Sequence, residues 1–101
     1  MILRSIKDIL GTQCPFLKRV AIKIFKEYPL EKIYLNSKGE IDLDFKRVLT
    51  ENEIQEIMNI ITPKGYGYDN YKISSLDYYT SEKRQRTIVY SIDNIDYRNL
   101  A

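Results

Sequence analysis

Lys83, Arg84, Gln85 and Arg86 form the densest cationic run in this chain of 101 residues. A guanidinium pairs bidentately with phosphate or a guanine edge, an ammonium acts on phosphate as a point charge, and a Gln amide can pair with adenine. That combination points to nucleic acid. The plain alternative is a solubilising turn, because turns are polar in any case. Strand-forming residues at 71–79 and 86–92 flank the run, so it is expected at the tip of a β-hairpin. Within the second strand, period-two spacing puts Ile88, Tyr90 and Ile92 on one face.

Other residues extend the candidate surface. Lys64 and Lys72 add positive charge on either side of a glycine-containing loop, where solvated residues are the default. Tyr79, with Tyr66, Tyr68, Tyr71 and Tyr78, offers hydroxyls for phosphate or rings for bases, although tyrosine in strands usually serves packing. Lys18, Arg19, Lys23 and Lys26 make one face of a helix basic; a solvated face is the ordinary use of such a pattern.

Catalysis finds little footing. The chain has no His, which removes the Ser-His, Cys-His and His-metal arrangements. Cys14 has basic neighbours in sequence but no partner base. Glu40, Asp42 and Asp44 read as a solvated acidic turn rather than a metal site, and Gly65-x-Gly67 lacks the Lys-Ser/Thr of a phosphate loop. The expectation is a non-enzymatic protein with no cofactor, no metal and no small-molecule substrate.

Composition sets the frame for these residues. A chain that is 44% hydrophobic and 30% charged falls in the globular class, and its length suits one domain over 1–101. No apolar run reaches the roughly 18 residues of a membrane span. The N-terminal segment mixes charge with apolar residues and lacks a small-residue cleavage site, so no signal peptide is expected. With one cysteine no internal disulfide can form, which suits a reducing cytoplasm. Net charge is only +2, but it is uneven: an acidic middle over 30–63 lies between two more basic ends.

The elements that would position the site follow from periodicity. Ile2, Ile6, Ile9 and Leu10 give the apolar face of a short helix within 1–11. Phe16, Leu17, Val20, Ala21, Ile24, Phe25 and Tyr28 give a longer one that Pro29 stops. A short strand is expected at 32–36, followed by a turn at Ser37-Lys38-Gly39. Residues 40–49 are ambiguous: Ile41, Leu43 and Phe45 alternate as in a strand, whereas Phe45, Val48 and Leu49 fit a helix. A helix beginning near Asp42 is the reading adopted. Thr50 and Glu53 then form a capping box, and Ile54, Ile57, Met58 and Ile61 line a helix that ends at Pro63. The core spans 16–92, and the tail 93–101 carries no clear signal.

The order helix, strand, helix, capped helix and basic hairpin resembles the winged helix-turn-helix family of α+β DNA-binding domains. Residues 41–62 (IDLDFKRVLTENEIQEIMNIIT) and 72–92 (KISSLDYYTSEKRQRTIVYSI) carry the resemblance. Size, element order and composition are also similar to the small winged helix-turn-helix proteins of clostridial conjugative plasmids, which bind repeated boxes at the origin of transfer. The resemblance implies three to four helices with a C-terminal β-hairpin wing, a homodimer, and double-stranded DNA as partner.

One departure from the family matters. Its usual major-groove reader is the last helix of the motif, but no Lys or Arg lies between Glu51 and Pro63. Gln55 and Asn59 could read adenine edges there, among three carboxylates that repel phosphate. Contacts are therefore expected to centre on the wing: Lys83, Arg84, Gln85 and Arg86, with Lys72, Tyr79 and Lys64. The alternatives are a transcriptional regulator of the same build, or a small protein-binding module such as a phage-type inhibitor or adaptor.

Overall fold

The elements run β1 (Ile2–Leu3), α1 (Ile6–Leu10), α2 (Pro15–Glu27), β2 (Leu30–Leu35), β3 (Ile41–Phe45), α3 (Glu51–Ile61), β4 (Tyr71–Leu76) and β5 (Lys83–Tyr90). The computed structural model describes residues 1–63, 71–76, 83–90 and 95–100, with backbone alone for 71–76, 83 and 84. Among the described residues, three helices and a five-stranded antiparallel sheet of order β1-β2-β3-β5-β4 make an α+β architecture.

Strand alternation divides the sheet into two unlike faces. Leu3, Ile33, Leu43 and Val89 stand directly across from one another on four strands, and none is more than 2% exposed. All three helices bury their apolar stripes in this same core: Ile9 from α1, Leu17, Ala21 and Ile24 from α2, and Ile54, Ile57, Met58 and Ile61 from α3. Burying each large aliphatic side chain contributes about 1.5–3 kcal/mol. The opposite face carries Tyr34, Asp42 and Tyr90 in one row, and Lys32, Asp44 and Ile88 in the next.

Local chemistry explains the helix ends. Pro15 opens α2 at its first position, where the missing amide costs nothing and the fixed φ suits the helix. Thr50 accepts from the Glu53 amide at 3.2 Å, and the Glu53 carboxylate accepts from the Thr50 amide at 3.0 Å. The capping box read from sequence is thus present.

Three expectations need correction. The helix expected from Ile2 begins only at Ile6. Ser5 caps it by accepting from the Asp8 amide at 3.2 Å, which frees the preceding residues to extend the sheet, and the Leu35 amide donates to the Met1 carbonyl at 2.8 Å. Of the expected apolar face, only Ile9 is buried; Ile2, Ile6 and Leu10 are 39%, 36% and 59% exposed. Second, the helix expected near Asp42 is strand β3. Its alternation buries Ile41, Leu43 and Phe45 while β2 and β5 take its backbone groups on either side. A helix could do neither, so the element that carried the first half of the helix-turn-helix resemblance is a central strand.

Third, the tail beyond 93 is partly core. Ile95 and Tyr97 are 2% and 1% exposed, and the Tyr97 hydroxyl donates to the Ile61 carbonyl at 2.6 Å, closing an orphan carbonyl at the end of α3. The Tyr97 amide reaches the Gly39 carbonyl at 2.9 Å. Gly39 itself has φ of 81°, a conformation that favours glycine.

Candidate nucleic-acid interface

The expected hairpin is present as β4 and β5, but the basic run expected at its tip lies within strand β5, where Leu76 stands opposite Lys83 and Ser74 opposite Arg86. It is not a free-standing wing. Strand β5 also pairs with β3 through Leu43–Val89 and Asp44–Ile88, so the hairpin is the far edge of the main sheet. Lys83 and Arg84 open β5 at the hairpin end, and Gln85 is exposed. Lys72 lies in β4 opposite Ile88. Lys64 and Tyr79 lie outside the described residues, as do Tyr66, Tyr68 and Tyr78.

Arg86 is a correction to the expected site. Its side chain is 0% exposed, and its Nη1 lies 2.9 Å from Oδ2 of Asp44, itself 3% exposed. Strand alternation is the cause: Arg86 shares a face with Ile88, two residues on, and that face carries Asp44 on the next strand. Lys32, directly across from Asp44 on β2 and 2% exposed, extends the row to three buried charges on three adjacent strands. A side chain committed there is not presented to a ligand at the surface. Arg86 therefore leaves the candidate contact set, and the acidic turn expected around Asp44 is replaced by a buried ion pair.

Two cations without a place in the expected site take its position. The connection between β3 and α3 docks on β5 through Thr87, whose amide donates to the Arg47 carbonyl at 3.2 Å and whose hydroxyl accepts from the Leu49 amide at 2.9 Å. This brings exposed Lys46 and Arg47 to the hairpin end of the sheet. The Lys46 amide is fixed in turn by the Pro29 carbonyl at 2.8 Å. A signal for them exists in the sequence: Ile41, Leu43 and Phe45, taken as a strand, place Lys46 and Arg47 just past its end.

The acids nearby are partly answered. Arg47 grips Glu53 with two hydrogen bonds, at 3.0 and 2.8 Å. That grip, aided by the Thr50 amide, lowers the Glu53 carboxyl to about 2. On α3, Gln55 and Asn59 are exposed as expected, together with Asn52 and Glu56. Glu56 accepts from the Tyr28 hydroxyl at 2.6 Å; burial, then this bond, raise the phenol to about 12. Asn59 lines an open groove of about 410 Å³ between α2 and α3, shared with Lys23, Glu27 and Tyr28.

Among the described residues, no helix is long and apolar enough to cross a membrane. Comparison with protein-family models, curated proteins and solved structures gives no match.

Proposed function

We propose that this protein is a non-catalytic, double-stranded DNA-binding module whose contacts centre on the hairpin end of its sheet. One observation carries the reading: the two hydrogen bonds at Thr87 set Lys46 and Arg47, distant in sequence, beside the strand that opens with Lys83, Arg84 and Gln85. Basic residues from two segments of the chain then lie at one end of the sheet, where the winged-helix resemblance supplied one segment. The reading keeps the hairpin and the amide-lined helix α3 from that resemblance, and gives up the helix at Asp42. Lysine and arginine hold the phosphates, Gln85 is the candidate reader of a base edge, and Gln55 and Asn59 are secondary.

A homodimer belongs to the same proposal, as expected for repeated DNA boxes in plasmid transfer or transcriptional control. Its support is the exposed apolar set on β1, α1 and β2: Ile6 and Leu10 lie one helical turn apart, and Ile2 stands across from Tyr34, itself 39% exposed.

The test is a duplex titration at several salt concentrations, with sedimentation alongside. Replacing Lys46, Lys83 and Arg84 by Ala should lower affinity and reduce the salt slope by about one for each phosphate left without its cation. Replacing Gln55 and Asn59 should cost less. Unchanged binding in the triple variant sinks the hairpin reading, and a protein that stays monomeric at all concentrations removes the dimer.

A further inference from the structure

Helix α2 presents a second basic surface that the hairpin reading does not use. At about 100° per residue, Leu17, Val20, Ala21 and Ile24 turn to the core, where each is buried. Lys18, Ile22, Lys26, Arg19 and Lys23 follow one another around the opposite side, over an arc of about 140°. Arg19, Lys23 and Lys26 are exposed, and Lys18 is half-buried. Among the described residues, Lys18, Lys23 and Lys26 take part in no ion pair. The Arg19 guanidinium lies 5.5 Å from the centroid of the Phe16 ring, a cation–π distance that holds it along the helix. The neighbouring acids, Glu27 and Glu56, stand at one margin, and Glu56 is engaged by Tyr28.

We infer that this face of α2 is a phosphate-backbone contact surface for double-stranded DNA, separate from the hairpin end. The rise from Lys18 to Lys26 is about 12 Å, and phosphates of one strand advance about 3.4 Å along the duplex axis. Laid along the duplex axis, the row therefore spans about three to four base-pair steps. At its head, Lys18 and Arg19 line an open groove of about 420 Å³ with Gln13, Pro15 and Ile22, a concavity that suits a sugar-phosphate edge.

Two competing polyanions fit less well. A membrane-surface helix needs an apolar flank to insert, and the apolar side of α2 is already packed in the core, with Phe16 and Phe25 against it. Single-stranded nucleic acid is held largely by bases stacked on aromatic rings, and the cationic arc contains none. The inference shares its partner with the proposal above but rests on different residues, so the two can fail separately.

The experiment uses the full chain and a short random-sequence duplex, followed by fluorescence anisotropy across a salt series. Lys18→Gln, Lys23→Gln and Lys26→Gln are combined in one variant; a Lys→Arg triple at the same positions serves as control, and circular dichroism checks that both fold. The Gln triple should lose about 0.9 of salt slope for each phosphate no longer neutralised, while the Arg triple keeps the wild-type slope. The hairpin variant is titrated in parallel. A reduced slope in the Gln triple supports the α2 surface even if the hairpin variant binds like wild type, which would sink only the hairpin reading. An unchanged slope in the Gln triple overturns the inference, whatever the hairpin variant does. Binding of wild type to phosphatidylserine vesicles but not to duplex also overturns it.

Discussion

The Arg86 guanidinium lies 2.9 Å from the Asp44 carboxylate, and both side chains are shut away from solvent. A buried pair of this kind adds little net stability over well-packed apolar residues, yet breaking it leaves an uncompensated charge. Asp44→Asn is therefore expected to destabilise the fold by about 3–5 kcal/mol. Lys32 lies directly across from Asp44 and is buried too, so the milder variant removes all three charges: Lys32→Met, Asp44→Leu and Arg86→Met. Urea unfolding of wild type, the single variant and the triple variant checks this, and equal losses in the single and triple variants would refute it. Arg86→Ala is a poor probe of ligand binding for the same reason, since it would damage the sheet first.

Glu53 ties acid stability to the start of α3. Its carboxyl titrates near 2 when folded, against an ordinary 4.5, so the unfolded chain binds the proton more readily. The stabilisation is complete above about pH 4.5 and fades as pH falls toward 2. Glu53→Gln should flatten the loss of urea midpoint between about pH 5 and 3. A variant that tracks wild type across that window contradicts the assignment. Thr50→Ala, which removes the other half of the cap, should cost about 1 kcal/mol at neutral pH.

Gly39 is constrained twice. Its φ of 81° strains any L side chain, and a Cβ there would meet the Asp96 carboxylate and the Arg98 Nε. Gly39→Ala should lose at least about 1–2 kcal/mol from the backbone conformation alone. A melting temperature equal to that of wild type would show that the 95–100 segment does not pack against this turn.

The sequence was most legible where local and tertiary signals agreed. Helix α2 followed from one apolar stripe stopped by Pro29, and α3 from the Thr50–Glu53 box. Reading failed where two periodicities overlapped: Phe45, Val48 and Leu49 mimic a helix only because Phe45 ends a strand and Leu49, past the bend at 46–47, is buried where its amide docks on Thr87. It also failed for Arg86, whose charge suggested the surface while its place in the alternation pointed inward. Partners across the sheet decided that outcome, and Asp44 is 42 residues away in the chain. Lys46 and Arg47 were missed as site residues for the same reason, because only the docking at Thr87 brings them to the hairpin.

The hydrogen bond from Tyr97 to Ile61 has a consequence for biosynthesis. Residues 95–100 join the turn at Gly39, the head of α2 through the Leu100 carbonyl, and the foot of α3, all of which leave the ribosome earlier. Helices α2 and α3 can form as they emerge, but the final closure waits for this late strip of chain. Nascent protein therefore passes through a stage with the Phe16 and Ile61 ends of its core uncovered. A synthesis stall within that stage would expose these surfaces to chaperones or to one another.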